Sequence, residues 1–321
     1  QQRITYLFLF LILLVSAVLR FHNYSGLSYT ADETSALNRA HFDTFHDLID
    51  KGVKIDGHPA GVQVLIYYWS KWFGFSEASI RIPFVLSGIL SVFFMFLIAS
   101  KWFGNTAGVF SAASLCFLEF PLIYSQIARP YTIGLLFSLM TVWFWTLILF
   151  EKRHNDYKIL VGFILSTALC KYSHHFSALF SATVGITGLF FMNRENWKAY
   201  VISGIIAVLL YLPHINIFLY QFSIGGIGGK DGWLAAPTPE FLLRFIKYCF
   251  NDSYKMLIVF GGIFLFSFVT SVKKIKWTRF HTLCIAWFFL PLLVGYFYSV
   301  YRNPVLQYSV LIFSFPFMVL F

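Results

Sequence analysis

Charge is scarce in this sequence. Charged types make up 12% of the 321 residues, where a soluble globular chain carries about a quarter. That excludes a disordered chain, a coiled coil and an ordinary cytosolic enzyme. Cysteine is scarce as well: Cys116, Cys170, Cys249 and Cys284 are the only four, and no two form a CxxC pair. Three of them lie inside apolar runs, so neither a disulfide framework nor a zinc knuckle fits. Internal repeats and a polar stretch long enough for a soluble domain are also missing. What is abundant is apolar and aromatic: 58% hydrophobic types, 40 Phe, 18 Tyr and 9 Trp, with a mean hydropathy of +0.71. This is the composition of a polytopic membrane protein.

Apolar runs of about 17–25 residues mark membrane spans. They fall near 4–20, 79–100, 104–124, 131–150, 158–174, 175–192, 199–217, 254–271, 280–299 and 305–321, which predicts an all-α bundle of about ten spans. The first run follows Arg3 and has the outline of a signal peptide, but no clear small-residue cleavage site follows it, so it is read as a span. The chain opens at Gln1 without a methionine and stops at Phe321 inside an apolar run, so residues 1–321 are expected to be one membrane module with a C-terminal part missing.

Orientation follows from basic residues in short loops. With the N-terminus inside, the inner loops hold Arg3, Lys101, Lys152, Arg153, Lys158, Arg194, Lys198, Lys273, Lys274, Lys276 and Arg279, eleven of the 24 basic residues. The net charge of +10 is then mostly a topology signal, and no nucleic-acid partner is needed. Two long segments, 21–78 and 218–253, lie on the opposite, non-cytoplasmic side. The first holds seven of the fourteen acids and four of the nine histidines, which is where a working site is expected.

Both outer segments carry a stretch too short to span. In 59–73, Val62, Leu65, Ile66, Trp69 and Phe73 recur at helical spacing, with Gln63, Tyr67 and Ser70 on the other face and Pro59 at the first helical position. In 238–250, Thr238 can cap, and Phe241, Leu242, Phe245, Ile246 and Cys249 share a face opposite Arg244 and Lys247. Both read as amphipathic juxtamembrane helices. The stretch 224–232 (IGGIGGKDG) reads as a flexible loop; with no strand before it, phosphate cradling is not expected.

Several residues could carry chemistry. Asp32 and Glu33 in SYTADETSALNRA offer a general base or oxygen ligands for a divalent cation. They fit equally well as the acidic first turn of a helix capped by Thr30 or Asp32, and spacing alone does not choose. His58 precedes a helix start, where free N–H groups favour an anion; an ordinary capping role fits too. Arg129, in YSQIARPYTIG, sits at membrane depth, where an arginine costs several kcal/mol unless paired or hydrated. It snorkels, binds an anion or pairs with Glu119. Ser173, His174 and His175 mark a turn between spans; adjacent helical histidines point about 100° apart and chelate poorly. Asn23 and Asn251 begin glycosylation sequons, which matter only in a eukaryotic source.

Taken in order, the stretches TADETSALNRA, GHPAGVQVLIYYWSKWFGFSEASIRIPF, YSQIARPYTIG, YSHHF and WLAAPTPEFLLRF resemble the GT-C membrane glycosyltransferases of the protein-mannosyltransferase and aminoarabinose-transferase type. The similarity runs from about residue 5 to 321. It implies a donor sugar linked to dolichyl or undecaprenyl phosphate, and transfer, usually with inversion, on the outer face of the membrane, which in a bacterium is the periplasmic face of the inner membrane. The acceptor is a glycan, a lipid or a protein.

The family's acidic motif falls on Asp32 and Glu33, its phosphate-facing helix start on His58 and Pro59, its Arg-Pro-Tyr on Arg129, Pro130 and Tyr131, and its histidine turn on His174. Its late Arg-Tyr appears as Gln307-Tyr308, a departure that leaves Arg302 as the expected substitute phosphate contact. The resemblance thus implies Asp32 and Glu33 as catalytic acids, with a divalent cation as the only cofactor considered, and His58, Arg129, Tyr131, His174 and Arg302 around the donor phosphate. Two other classes compete: a transporter or flippase for lipid-linked sugars, which would tend to show internal repeats and broken midplane helices, and a non-catalytic lipid-binding subunit.

Overall fold

The computed structural model describes residues 2–225, 232–271 and 276–321. Among these residues it is all-helical, with no strand. Most of the glycine-rich stretch 224–232, together with Lys273 and Lys274, lies outside the described residues.

The helices are α1 Gln2–Phe21, α2 Ala31–Asn38, α3 Gly61–Phe73, α4 Glu77–Phe103, α5 Asn105–Phe117, α6 Glu119–Ser125, α7 Pro130–Phe150, α8 Tyr157–Ser173, α9 His175–Gly188, α10 Trp197–Leu209, α11 Ile215–Ile224, α12 Phe241–Cys249, α13 Tyr254–Ser271, α14 Arg279–Tyr301 and α15 Phe315–Leu320. The most enclosed is α7. It begins with Pro130, whose missing N–H costs nothing at a first turn, and it packs against α4, α8, α9 and the turn 309–313. Gly134 lets that turn approach, since a Cβ there would meet the Phe313 ring at 2.6 Å.

Among the described residues, five helical stretches are long and apolar enough to cross a membrane: Gln2–Phe21, Glu77–Phe103, Pro130–Phe150, Trp197–Ile224 and Arg279–Tyr301. α5 and α6 together make a sixth, bent by 59° at Leu118. The protein is therefore an integral membrane protein, but the expected count of ten spans is not what these helices give. α8 and α9 are helical where spans were expected, yet they have only 17 and 14 residues. The segment 305–321 is no crossing helix. It runs extended to Gln307, turns through 309–313 and ends in the six-residue α15, mostly buried against α5, α7, α9 and α14. Pro304 disfavours helix before it, and Pro316 allows a helix only to start. Non-helical backbone at this depth is tolerated because it is enclosed in protein.

Two local devices tie helices together, one at an outer helix and one inside the bundle. Pro83, inside α4, has no N–H to give the Ser79 carbonyl; the Trp69 indole of α3 donates to that carbonyl instead, at 3.0 Å. The bend at Leu118 leaves the last carbonyls of α5 without helical partners. Arg20, 1% exposed, takes those of Leu115 and Cys116 at 2.9 and 3.4 Å, and also the Ser16 hydroxyl at 2.8 Å.

α3 begins at Gly61, after the expected Pro59 position, because Ala60 and not His58 is its cap. Its buried face includes Gln63, Tyr67 and Ser70, while Trp72 and Phe73 point outward. Val62 and Ile66 are buried on the same face, so α3 meets the protein with a mixed apolar and polar side and leaves large aromatics exposed, as suits a membrane interface. In α12 the buried residues Phe241, Phe245 and Cys249 lie one turn apart, with Arg244 exposed opposite. Asn23 and Asn251, the two sequon asparagines, adopt left-handed backbone (φ 53° and 59°) just past α1 and α12, a conformation asparagine tolerates at helix ends.

Candidate functional site

At the end of the bundle where α1 finishes and α4 begins, the α2 region, the loop 39–60 and the turns before α7 and α9 surround a cavity of about 450 Å³. Asp32, His58, Arg129, Tyr131 and His174 all line it, although they come from four separate places in the chain. Glu33 and Arg302 do not.

The neighbours Asp32 and Glu33 have opposite surroundings. Glu33 is fully buried. Arg81 grips it with two bonds of 2.8 Å, the Ala128 N–H donates at 2.8 Å, and Thr30 donates through both its N–H and its hydroxyl at 3.0 and 3.1 Å. Thr30 and Glu33 close a capping box on α2. Burial alone would raise the carboxyl's pKa, but the Arg81 bonds and the two backbone donors outweigh it and hold the group below its ordinary value. Arg81 also reaches the carbonyls of Tyr24, Leu27 and Ser28. Glu33 thus fixes α2 to the bundle, and its oxygens are occupied. Asp32 is exposed to the cavity, and among the described residues its carboxylate has no partner. For the same reason the pair does not present a shared set of oxygen ligands, and no three His, Cys, Asp or Glu side chains converge on a metal position among the described residues.

Arg129 caps α7 in an extended conformation that turns its side chain into the cavity. It is 6% exposed. Nη1 donates to the Asp32 backbone carbonyl at 3.3 Å, Nη2 lies 3.5 and 3.4 Å from the two ring nitrogens of His58, and Nε has no partner. Glu119 is exposed and forms no ion pair with it, so the pairing expected as the alternative is not formed. Among the described residues, Arg129 is a buried cation with no carboxylate within ion-pair distance.

The His58 ring sits 5.2 Å from that of His174, which in turn stands 5.9 Å from Tyr131. His174 caps α9: its Nδ1 accepts the Phe176 N–H at 3.0 Å. Nδ1 is then the acceptor of a neutral imidazole, and the proton rests on Nε2. His175 lines the cavity as well.

Three residues of the site carried no functional reading in the sequence. Asp56, 3% exposed, accepts from Arg39 at 2.6 Å, from the Gly57 N–H at 2.7 Å and from the Gln63 amide, with His58 Nδ1 at 3.4 Å. Burial would raise its pKa, but the bond to His58 and the charges of His58, Arg39 and Arg129 draw it below the ordinary value. Arg39 lines the cavity on the face of α2 that also presents Asp32 and Ser35, positions i, i+3 and i+7. That spacing was the available signal. Gln221 of α11 donates to the carbonyls of Val53 and His58, both at 2.8 Å, and so holds the His58 loop. Gln307 lines the cavity where the resemblance implies an arginine, and Arg302 lies exposed beyond α14. At the start of α3 the Ala60 N–H is taken by His214 Nε2 at 3.0 Å, and Gly61 packs closely against the Tyr172 carbonyl.

The bent helices, the short outer helices and a cation-lined cavity beneath them define a GT-C membrane fold. The crystal structures of ArnT from Cupriavidus metallidurans share it. The apo form superposes with a TM-score of 0.68 at 13% identity, covering 97% of this chain and 57% of that one. The form bound to undecaprenyl phosphate gives 0.68 at 12%, with 97% and 58% covered. This chain therefore spans a little over half the length of ArnT. No curated protein matches it by sequence. The profile of the dolichyl-phosphate-mannose-protein mannosyltransferase family matches residues 57–217, half of the chain, and the chain belongs to that family.

Proposed function

We propose that this chain is the membrane module of a glycosyltransferase that moves a sugar from a polyprenyl-phosphate donor to an acceptor on the non-cytoplasmic face, the periplasmic side of the inner membrane in a bacterium. The observation that carries this is Arg129: a buried guanidinium with no carboxylate partner among the described residues, lining a cavity together with His58. A cation so placed is costly unless an anion completes it, and a lipid phosphate is an anion that lies at this depth. That ArnT has been crystallised with undecaprenyl phosphate supports the choice. The inner position of the basic loops supports the outer face.

The chemistry needs few parts. The acceptor hydroxyl or amine attacks the anomeric carbon of the sugar. The bond from that carbon to the phosphate oxygen breaks, and its electron pair stays on the phosphate. Arg129 and His58 stabilise the charge that grows there. The Asp32 carboxylate, free of other partners, takes the acceptor's proton. Glu33, through α2, sets where Asp32 stands.

Asp32→Asn keeps the shape and removes proton acceptance. Turnover measured by sugar release from a polyprenyl-phosphate donor should fall by about 10²–10⁴, with unfolding temperature unchanged. A loss under tenfold would make Asp32 a helix-start residue and no more.

A further inference from the structure

A second cavity, of about 400 Å³, lies beside the first. The extended chain at 305–307 and its continuation through Ser309 form the wall between them. Val305 and Gln307 line the first cavity; Leu306 and Tyr308 line the second. The Ser299 hydroxyl pins the wall by accepting the N–H groups of Val305 and Leu306 at 3.0 and 2.9 Å. Gln307 lines both spaces. A second bridge is aromatic: Tyr131 of the first cavity meets Tyr124 of the second with ring centroids 4.8 Å apart.

The second cavity differs in chemistry from the first. Its floor is tyrosine: the Tyr248 and Tyr308 rings lie 5.0 Å apart at 31°, and the Tyr124 and Tyr248 hydroxyls are 3.5 Å apart. Arg244 lines it, is exposed, and among the described residues forms no ion pair. Flat aromatic faces pack the C–H face of a pyranose, phenolic hydroxyls exchange hydrogen bonds with its hydroxyls, and an unpaired guanidinium takes a phosphate or carboxylate in a forked contact. We propose that this cavity is the acceptor subsite and takes an acidic saccharide, presented past Gln307 to the donor sugar. The inference rests on the glycosyltransferase reading above and adds the acceptor's class to it.

The test uses the whole chain in phosphatidylcholine nanodiscs with a single probe, Ala236→Cys. Ala236 is exposed and lines the second cavity, and the four native cysteines are buried. Maleimide labelling is timed with glucose 1-phosphate, glucose or inorganic phosphate present. Glucose 1-phosphate should protect at the lowest concentration of the three. Arg244→Gln should raise its half-protecting concentration by about tenfold, as for one lost charge-assisted contact, and Tyr308→Ala should weaken protection by both sugars. Undecaprenyl phosphate should leave the protection intact. Absence of protection, or competition by undecaprenyl phosphate, overturns the assignment. So does equal protection by anionic phospholipid in the disc without any sugar, which would make this a lipid-headgroup site. A wild-type chain that fails to bind undecaprenyl phosphate refutes the underlying glycosyltransferase reading; a chain that binds it but shows no sugar protection refutes only the acceptor subsite.

Discussion

Arg81 and Arg129 are both buried arginines near the same end of the bundle, and they are built in opposite ways. Arg81 is 3% exposed and fully engaged: a forked bond to Glu33 and three backbone carbonyls. Arg129 is 6% exposed, yet it touches one carbonyl and a histidine, and its Nε has no partner. Arg20 is a third case: without any acid it bonds two helix-end carbonyls and the Ser16 hydroxyl, and its Nε, like that of Arg129, has no partner. Depth alone therefore says little about an arginine's role. What separates structure from site is whether the protein itself completes the charge. Where it does, the residue clamps elements together; where it does not, as at Arg129, the proposal above supplies a ligand as the missing partner.

The strongest way to break this contrast is to remove Arg81's partner. Glu33→Gln leaves a buried, uncompensated guanidinium and should cost about 3–5 kcal/mol. Thermal unfolding in detergent would then start well below that of the wild type, with poor yield. A Glu33→Gln protein that melts normally but turns over slowly would instead restore Glu33 to the catalytic group.

The next test concerns acid. Asp56 and Glu33 are both held below their ordinary pKa values in the fold. Their stabilising contribution is therefore complete above the unfolded carboxylate range, about pH 4, and is lost as pH falls through the lower folded values. Melting temperatures taken from pH 7 down to pH 3 should drop steeply at the acid end for the wild type and less steeply for Asp56→Asn. Parallel curves would show that Asp56 is no organiser of the site.

The smallest effects are expected at Arg302 and Glu119. Arg302 lies outside the cavity, and Glu119 is exposed and unpaired with Arg129. Arg302→Ala and Glu119→Ala should each stay within about 0.5 kcal/mol of wild-type stability, as usual for surface sites, with donor affinity unchanged. A marked fall in undecaprenyl-phosphate binding for Arg302→Ala would return it to the phosphate group.

The sequence made part of this legible. The long apolar runs forecast α1, α4, α7 and α14 because length and hydropathy decide spans. They misled at 305–321, where apolar composition is equally high but Pro304 and Pro316 and enclosure on all sides produce an extended wall and a short helix. Asp32, His58, Arg129, Tyr131 and His174 share a cavity as the order of motifs suggested. Glu33 and Arg302 do not, because a capping box turns Glu33 inward and α14 ends with Arg302 outside. Gln221 was illegible, because its partners lie up to 168 residues away; Asp56 bonds only to residues within 17 positions, but nothing in the sequence marks it as the acid that gathers Arg39, Gly57, His58 and Gln63. Arg39 could have been found, since it follows Asp32 by two helical turns.

The central claim is that Arg129 is completed by a ligand and Arg81 by the protein. Undecaprenyl-phosphate affinity and unfolding temperature, measured together on Arg129→Ala, test it most directly. The account predicts that binding weakens by tenfold or more, as for one lost charge-assisted contact, while the unfolding temperature holds and rises less than the wild type's when the lipid is added. An Arg129→Ala protein that unfolds early yet binds the lipid phosphate normally would contradict it.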